Sequence, residues 1–121
     1  MTGVFILDKP EGFTSFDAVA VARRLFGQKK IGHTGTLDPM ATGVLPLLLG
    51  RATRAEALLP DTDTESRAAC ALGRATDTGD RTGAVVRTTD VRVTAEALHG
   101  VLPRFRGEIR QVPPMYSAVQ K

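Results

Sequence analysis

The sequence has few of the residues that build redox, metal and disulfide sites. Its 121 residues include one cysteine, two histidines and no tryptophan, so an internal disulfide is excluded and a structural zinc site is nearly excluded. No apolar run approaches the roughly 20 residues needed to cross a bilayer. The N-terminus has no basic segment and reaches Asp8 early, unlike a signal peptide. We therefore expect a soluble, cytoplasmic protein.

The charge of the chain is ordinary in amount but favours one basic residue. Lys+Arg 16 against Asp+Glu 13 gives a net charge of +3, and 12 of the 16 basic residues are arginine. Arginine suits bidentate phosphate contacts. A charge of this size is also typical of a solvated surface, so charge alone does not identify nucleic acid as the partner.

Short helices and strands alternate irregularly along the chain, which favours an α+β fold over a regular parallel sheet. A helix is expected after Thr14 or Ser15, either of which can cap it, and Gly27 ends it. A second helix follows Thr94, and a short one is possible from Arg51 to Leu59. Strands are predicted at residues 3–7, 65–72, 85–86 and 105–112. The first of them is predicted to be buried.

The most informative stretch is the glycine-rich loop of residues 27–43. So many glycines cost backbone entropy, and such a loop is typical of a backbone held in a special shape. It presents one carboxylate, Asp38, which could act as a nucleophile or a base in a rigid pocket. Lys29, Lys30 and His33 could hold an anionic substrate.

A plain structural interpretation of this loop competes with the catalytic one. Asp38-Pro39 is also a common way to begin a turn, and His33 can be a simple hydrogen-bonding residue. The loop is neither a Walker A loop nor a dinucleotide fingerprint. Spacing alone therefore favours the structural interpretation and specifies no reaction.

Four motifs follow one another along nearly the whole chain. They are Asp8-Lys9-Pro10 with Gly12-Phe13-Thr14-Ser15, residues 32–39 with Ala41-Thr42-Gly43, Leu72-Gly73 with Thr76-Asp77-Thr78, Asp80 and Gly83, and residues 113–118, Pro-Pro-Met-Tyr-Ser-Ala. With these motifs in this order, the chain closely resembles the N-terminal part of the TruB-type tRNA pseudouridine synthases, which isomerise uridine 55 in the T-loop of tRNA.

This resemblance implies a fold, a partner and roles for particular residues. The implied fold is a mixed, mainly antiparallel sheet with flanking helices, and the partner is the T-arm of tRNA. Asp38 takes the place of the catalytic carboxylate, and His33 that of a histidine near the flipped nucleotide. Lys9 lies in a motif beside the active site, as a candidate substrate-binding residue or mainly as structural support. No cofactor and no metal are implied.

The remaining basic and acidic positions are less decisive. Lys29 and Lys30 suit phosphate contact, but a solvated loop explains them equally well. Asp77 and Asp80 match the family's loop motif as turn-forming, hydrogen-bonding groups, not as a catalytic pair.

The chain departs from the family pattern at one position and in its length. A tyrosine that stacks on the target base belongs six residues before Leu72-Gly73, and Ser66 stands there. We expect residues 1–121 to be the N-terminal portion of the catalytic domain. The rest of that domain and a C-terminal RNA-binding domain would then be absent. The full-length form is expected to be a monomer.

Three functions remain open at this stage. The first is the catalytic part of a TruB-type synthase, and the second is a truncated or degenerate RNA-binding relative without activity. The third is a guide-RNA-dependent member of the same family. A compact motif set that begins at residue 3, without a basic extension, favours the stand-alone bacterial type.

Overall fold

The computed structural model describes residues 1–59 and 63–112, which form two compact units. The first unit comprises the described residues up to 65, and the second comprises residues 66–112. Both units contain antiparallel strands and helices, so the predicted α+β class is confirmed. The motif at residues 113–118 lies outside the described residues.

The first unit is built on a three-stranded antiparallel sheet. Its strands are β1 (Gly3–Lys9), β2 (Ile31–His33) and β3 (Gly43–Leu49), in the order β1-β3-β2. Because β3 is central, it pairs with both neighbours, and Leu47 lies opposite Phe5 on one side and His33 on the other. β1 and β2 therefore lie on either side of β3, the strand that begins where the glycine-rich loop ends.

Helix α1 (Ser15–Leu25) covers one face of this sheet. Thr14 is its cap, since its hydroxyl oxygen accepts the Asp17 N–H at 2.9 Å and its own N–H donates to the Asp17 carboxylate at 2.9 Å. These bonds form a capping box, which satisfies two groups at the start of the helix. Gly27 follows the helix in the left-handed region, with φ +60°, as the sequence predicted.

The core of the first unit lies between α1 and one face of the sheet. Alternate residues of β3 point into it, as the two-residue period of a strand requires. On the other face, Val4 and Ile6 are 61% and 60% exposed, whereas Leu48, the partner of Val4, is 3% exposed. The predicted strand at 3–7 therefore forms, but the expectation that it is buried is wrong: Phe5 is 39% exposed, and Leu7 is only partly buried against the core. The buried core residues are Ala18, Val19, Ala22, Ile31, Leu45, Leu47 and Leu49.

A 3₁₀ helix, Gly50–Leu58, follows β3 where the sequence suggested a short helix. In the second unit, β4 (Arg74–Thr76) and β5 (Val85–Thr88) form a hairpin. They are followed by α2 (Ala95–Val101), which Thr94 caps, and by a 3₁₀ helix, Leu102–Phe105. In the described part of the chain, no helix has both the length and the apolar character that a bilayer crossing requires.

Two predicted strands are absent. Residues 65–72 and 106–112 have no regular structure, and Phe105 ends a 3₁₀ helix. A strand exists only where another strand pairs with its backbone. Within the described residues neither segment has such a neighbour. The alternating sequence pattern at 105–112 therefore does not form a strand.

Candidate active site

The loop of residues 34–42, here called the Asp38 loop, connects β2 to β3. It begins with a hydrogen bond from the Thr34 N–H to the Pro46 carbonyl at 3.2 Å, and the Ala41 N–H donates to the Asp38 carbonyl at 3.0 Å. The Asp38 side chain is exposed. Among the described residues no group donates a hydrogen bond to its carboxylate, which is therefore free for an incoming molecule.

The peptide before Asp38 is held by the first residue of α1. The Leu37 N–H donates to the Ser15 hydroxyl at 3.0 Å, and that hydroxyl donates to the Leu37 carbonyl at 3.4 Å. Ser15 is 3% exposed, and the Leu37 side chain packs against the core. Sequence reasoning considered Ser15 as a helix cap and as part of a motif, and it missed this contact. The sequence showed a second hydroxyl residue beside the cap, but nothing in it indicated that Leu37 is the partner of that hydroxyl.

Pro39, the residue after Asp38, is held by the end of β1 and the turn that follows it. The Pro39 carbonyl accepts a hydrogen bond from the Gly12 N–H at 2.8 Å and from the Lys9 ammonium at 3.3 Å. Gly12 has φ +85°, a left-handed conformation that favours glycine. The two residues that flank Asp38 are therefore each anchored to the segment of residues 9–15.

Lys9 is completely buried, and its ammonium group is saturated by backbone carbonyls. It donates to Pro10 at 3.0 Å, to Phe13 over a short hydrogen bond, and to Pro39. An ammonium group has three hydrogens, and all three are used. The contacts indicate structural support, which corrects the placing of Lys9 among the candidate substrate-binding residues.

His33 ends β2 and leads directly into the Asp38 loop. Its ring is half-buried, and its Nδ1 atom is buried without a hydrogen-bond partner among the described residues. A buried polar atom without a partner costs free energy. The polar capacity of this atom is therefore unused at the start of the Asp38 loop.

Lys29 and Lys30 precede β2 and are exposed. Their carbonyls accept hydrogen bonds from Ile31 and Gly50, at 3.0 and 2.8 Å. Within the described part of the chain, their ammonium groups make no hydrogen bond or ion pair. Phosphate contact by these two residues stays a prediction.

The second unit carries the remaining positions singled out in the sequence. Ser66 is its first residue and is exposed. The Asp80 carboxylate accepts hydrogen bonds from the Thr82 hydroxyl at 2.6 Å, from the Thr82 N–H at 2.8 Å and from the Thr78 hydroxyl at 2.9 Å. These bonds lower the pKa of Asp80, and the bond from the Thr82 hydroxyl has the largest effect.

Asp77 completes the same turn, since its carboxylate accepts the Ala84 N–H at 2.9 Å. The interpretation of Asp77 and Asp80 as turn-forming groups is confirmed. Across residues 1–59 and 63–112, no group of three or more His, Cys, Asp or Glu side chains could hold a metal ion.

Comparison with known proteins agrees with the motifs. Residues 23–121 match the model of the TruB family pseudouridylate synthase N-terminal domain. The chain is 56% identical over 119 residues to tRNA pseudouridine synthase B of Azoarcus sp. strain BH72, covering 98% of this chain and 40% of the relative. It is 51% identical over 122 residues to the protein of that name from Geotalea uraniireducens strain Rf4, covering 100% and 39%.

A solved structure shows a similar fold. The chain aligns with one in the crystal structure of a Cbf5–Nop10–Gar1 complex, with a TM-score of 0.62 and 33% identity, over 98% of this chain and 31% of that one. The chain spans about two fifths of the length of its curated relatives. From the family match over residues 23–121 and these identities, the chain belongs to the TruB family of pseudouridylate synthases.

Proposed function

We propose that this chain is the N-terminal portion of the catalytic domain of a tRNA pseudouridine synthase. It isomerises a uridine of the T-loop, position 55, with Asp38 as the catalytic carboxylate and cytoplasmic tRNA as the partner. One observation carries the proposal. In a chain of the TruB family, the Asp38 carboxylate is exposed and unpartnered on a loop whose backbone is anchored on both sides of it.

The proposed reaction needs no oxidant and no group from outside. The bond between N1 of uracil and C1′ of the ribose breaks, the base turns, and a bond forms between C5 and C1′. The proton on C5 leaves to solvent and N1 takes up a proton, so substrate and product are isomers. A single carboxylate can assist as nucleophile or base.

The target base must first leave its stack, which costs a few kcal/mol. An exposed carboxylate on a surface loop can be reached by a nucleotide that has been extruded in this way. His33, at the start of the same loop, would face that nucleotide. Lys29 and Lys30 lie just before β2 and would contact backbone phosphates.

The stand-alone mode of action has more support than the guide-RNA-dependent one. The bacterial relatives named tRNA pseudouridine synthase B share 48–56% identity with this chain. The chain from the Cbf5–Nop10–Gar1 complex shares 33%. We therefore propose direct recognition of tRNA.

Release of tritium from C5 of uridine in a T-arm stem-loop tests the proposal. The chain is assayed alone and also joined to the remainder of the Azoarcus relative, here called the completed protein. Asp38→Asn is expected to lower the rate by about 10²–10⁴-fold, the usual contribution of such a group. Asp63→Asn, which removes an exposed carboxylate outside the loop, should leave the rate unchanged.

The outcomes separate the proposal from the non-catalytic alternative, which Ser66 favours because serine offers no aromatic face. If the completed protein binds the stem-loop in a salt-dependent manner without releasing tritium, and Asp38→Asn binds equally well, the chain belongs to an RNA-binding relative. Release that depends on Asp38 supports the enzyme.

A further inference from the structure

We propose that Ser15 is a positioning residue for Asp38: its buried hydroxyl fixes the Leu37 peptide and thereby aims the carboxylate. This inference rests on the proposed function, since Asp38 must be the reacting group for its aim to matter. It adds a residue to the site that lies 22 positions away along the chain.

The direction of the Asp38 side chain depends on its backbone. In the described part of the chain, its carboxylate accepts no hydrogen bond, and its side chain is exposed. Its direction is therefore set by the backbone of residues 37–39 and by the rotamer alone. Whatever fixes the two flanking residues, Leu37 and Pro39, therefore fixes the position of the carboxylate.

The two flanks are held differently. The Pro39 carbonyl has two donors, Gly12 and Lys9, so loss of one leaves the other. Within residues 1–59 and 63–112, the backbone polar groups of Leu37 have one partner, Ser15, which binds both the N–H and the carbonyl of this residue. The hydrogen bonding of the residue before Asp38 therefore depends on a single hydroxyl.

Ser15 itself stands on a rigid support. It is the first residue of α1, immediately after the Thr14 cap, and Ala18 and Val19 of the same helix are buried in the core. Sites built on regular elements hold their geometry better than sites built on loops. At 3% exposure Ser15 cannot touch a substrate, so any effect on the reaction passes through Leu37.

A merely structural role for Ser15 makes a different prediction. Alanine is a good helix former, and the cap belongs to Thr14, so Ser15→Ala is expected to fold. The Leu37 side chain keeps its place against the core in this variant. Only the hold on the Leu37 peptide is lost. Thr14→Ala, one residue earlier, removes the capping box and leaves Leu37 untouched, which makes it the matched control.

Two measurements test the proposal. Hydrogen exchange on the 121-residue chain should show the Leu37 amide exchanging about tenfold faster in Ser15→Ala than in Thr14→Ala, because only the first variant removes its acceptor. In the completed protein, Ser15→Ala should lower kcat by about 10–100-fold, the usual effect of a small misplacement. KM should stay within about twofold, since a loss confined to kcat reports an interaction of the transition state. Thr14→Ala should keep its kcat.

Equal kcat values for Ser15→Ala and the parent, with Asp38→Asn inactive, overturn the positioning role and leave the proposed function in place. A parallel loss of kcat in Ser15→Ala and Thr14→Ala also overturns it, since helix stability then explains both. Full activity of Asp38→Asn instead removes the proposed function, and the positioning role with it.

Discussion

The ammonium group of Lys9 lies 3.3 Å from the carbonyl oxygen of Pro39, thirty residues further along the chain. Lys9 ends β1, and Pro39 follows Asp38, so this hydrogen bond ties the sheet to the loop that carries the carboxylate. The same ammonium group also donates to the carbonyls of Pro10 and Phe13. One buried charge thus holds together two turns that have no regular structure of their own.

Replacing Lys9 by methionine should destabilise the chain. Methionine keeps the length of the side chain but leaves the carbonyls of Pro10, Phe13 and Pro39 without this donor, and an unsatisfied buried polar group costs about 1–3 kcal/mol. Urea denaturation of the 121-residue chain measures the free energy of unfolding. Lys29→Met, at an exposed lysine, should change it by less than about 0.5 kcal/mol. Equal midpoints for the two variants would contradict the supporting role of Lys9.

Leu47 should be among the residues most sensitive to truncation. It is fully buried in the central strand, between Phe5 and His33. Leu47→Ala leaves a cavity and is expected to lower the free energy of unfolding by about 2–5 kcal/mol. Val44→Ala, on the same strand at a position 68% exposed, should cost much less. A similar loss in both variants would place the core elsewhere.

The features predicted correctly from the sequence are those specified by neighbouring residues. The start of α1 after Thr14 and its end at Gly27 depend on contacts within a few positions, as does the start of α2 after Thr94. Capping and left-handed glycine act locally, so pattern analysis can find them. The general class of the fold followed from the same short-range signals.

The features that sequence reasoning missed depend on residues far apart in the chain. The strand β2 has three residues and exists because β3 pairs with it. The contact of Ser15 with Leu37 spans 22 positions, and that of Lys9 with Pro39 spans 30. The prediction of a strand at residues 65–72 was wrong for the converse reason. A segment of strand-like composition forms no strand without a neighbouring strand.

Acid should weaken the turn between β4 and β5. Hydrogen bonds hold the pKa of Asp80 below its ordinary value of 3.8, and the largest contribution comes from the Thr82 hydroxyl. A carboxylate with a lowered pKa in the folded state contributes stability that is fully present above the ordinary value and is lost as the pH falls through the folded value. The free energy of unfolding should therefore fall below about pH 4.

Asp80→Asn isolates this contribution from others in the same pH range. Asp17 also has a lowered pKa, because of the Thr14 hydroxyl and backbone hydrogen bonds, and titrates in the same window. The difference between parent and Asp80→Asn, measured by denaturation at several pH values, should shrink as the pH falls below about 4. Asp90→Asn, at a side chain 88% exposed, should keep the dependence of the parent. A constant difference across the range would contradict the linkage.

Ser66→Tyr should increase activity if the proposed function holds. Ser66 is exposed, so a larger side chain can be accommodated there within the second unit. Stacking of a base on an aromatic ring is worth about 1–3 kcal/mol, which corresponds to a gain in kcat/KM of roughly 5- to 150-fold. Tritium release by the completed protein measures the gain. Ser66→Leu supplies a similar apolar bulk without a ring and should gain little. Equal rates for the tyrosine and leucine variants would show that position 66 does not meet the base.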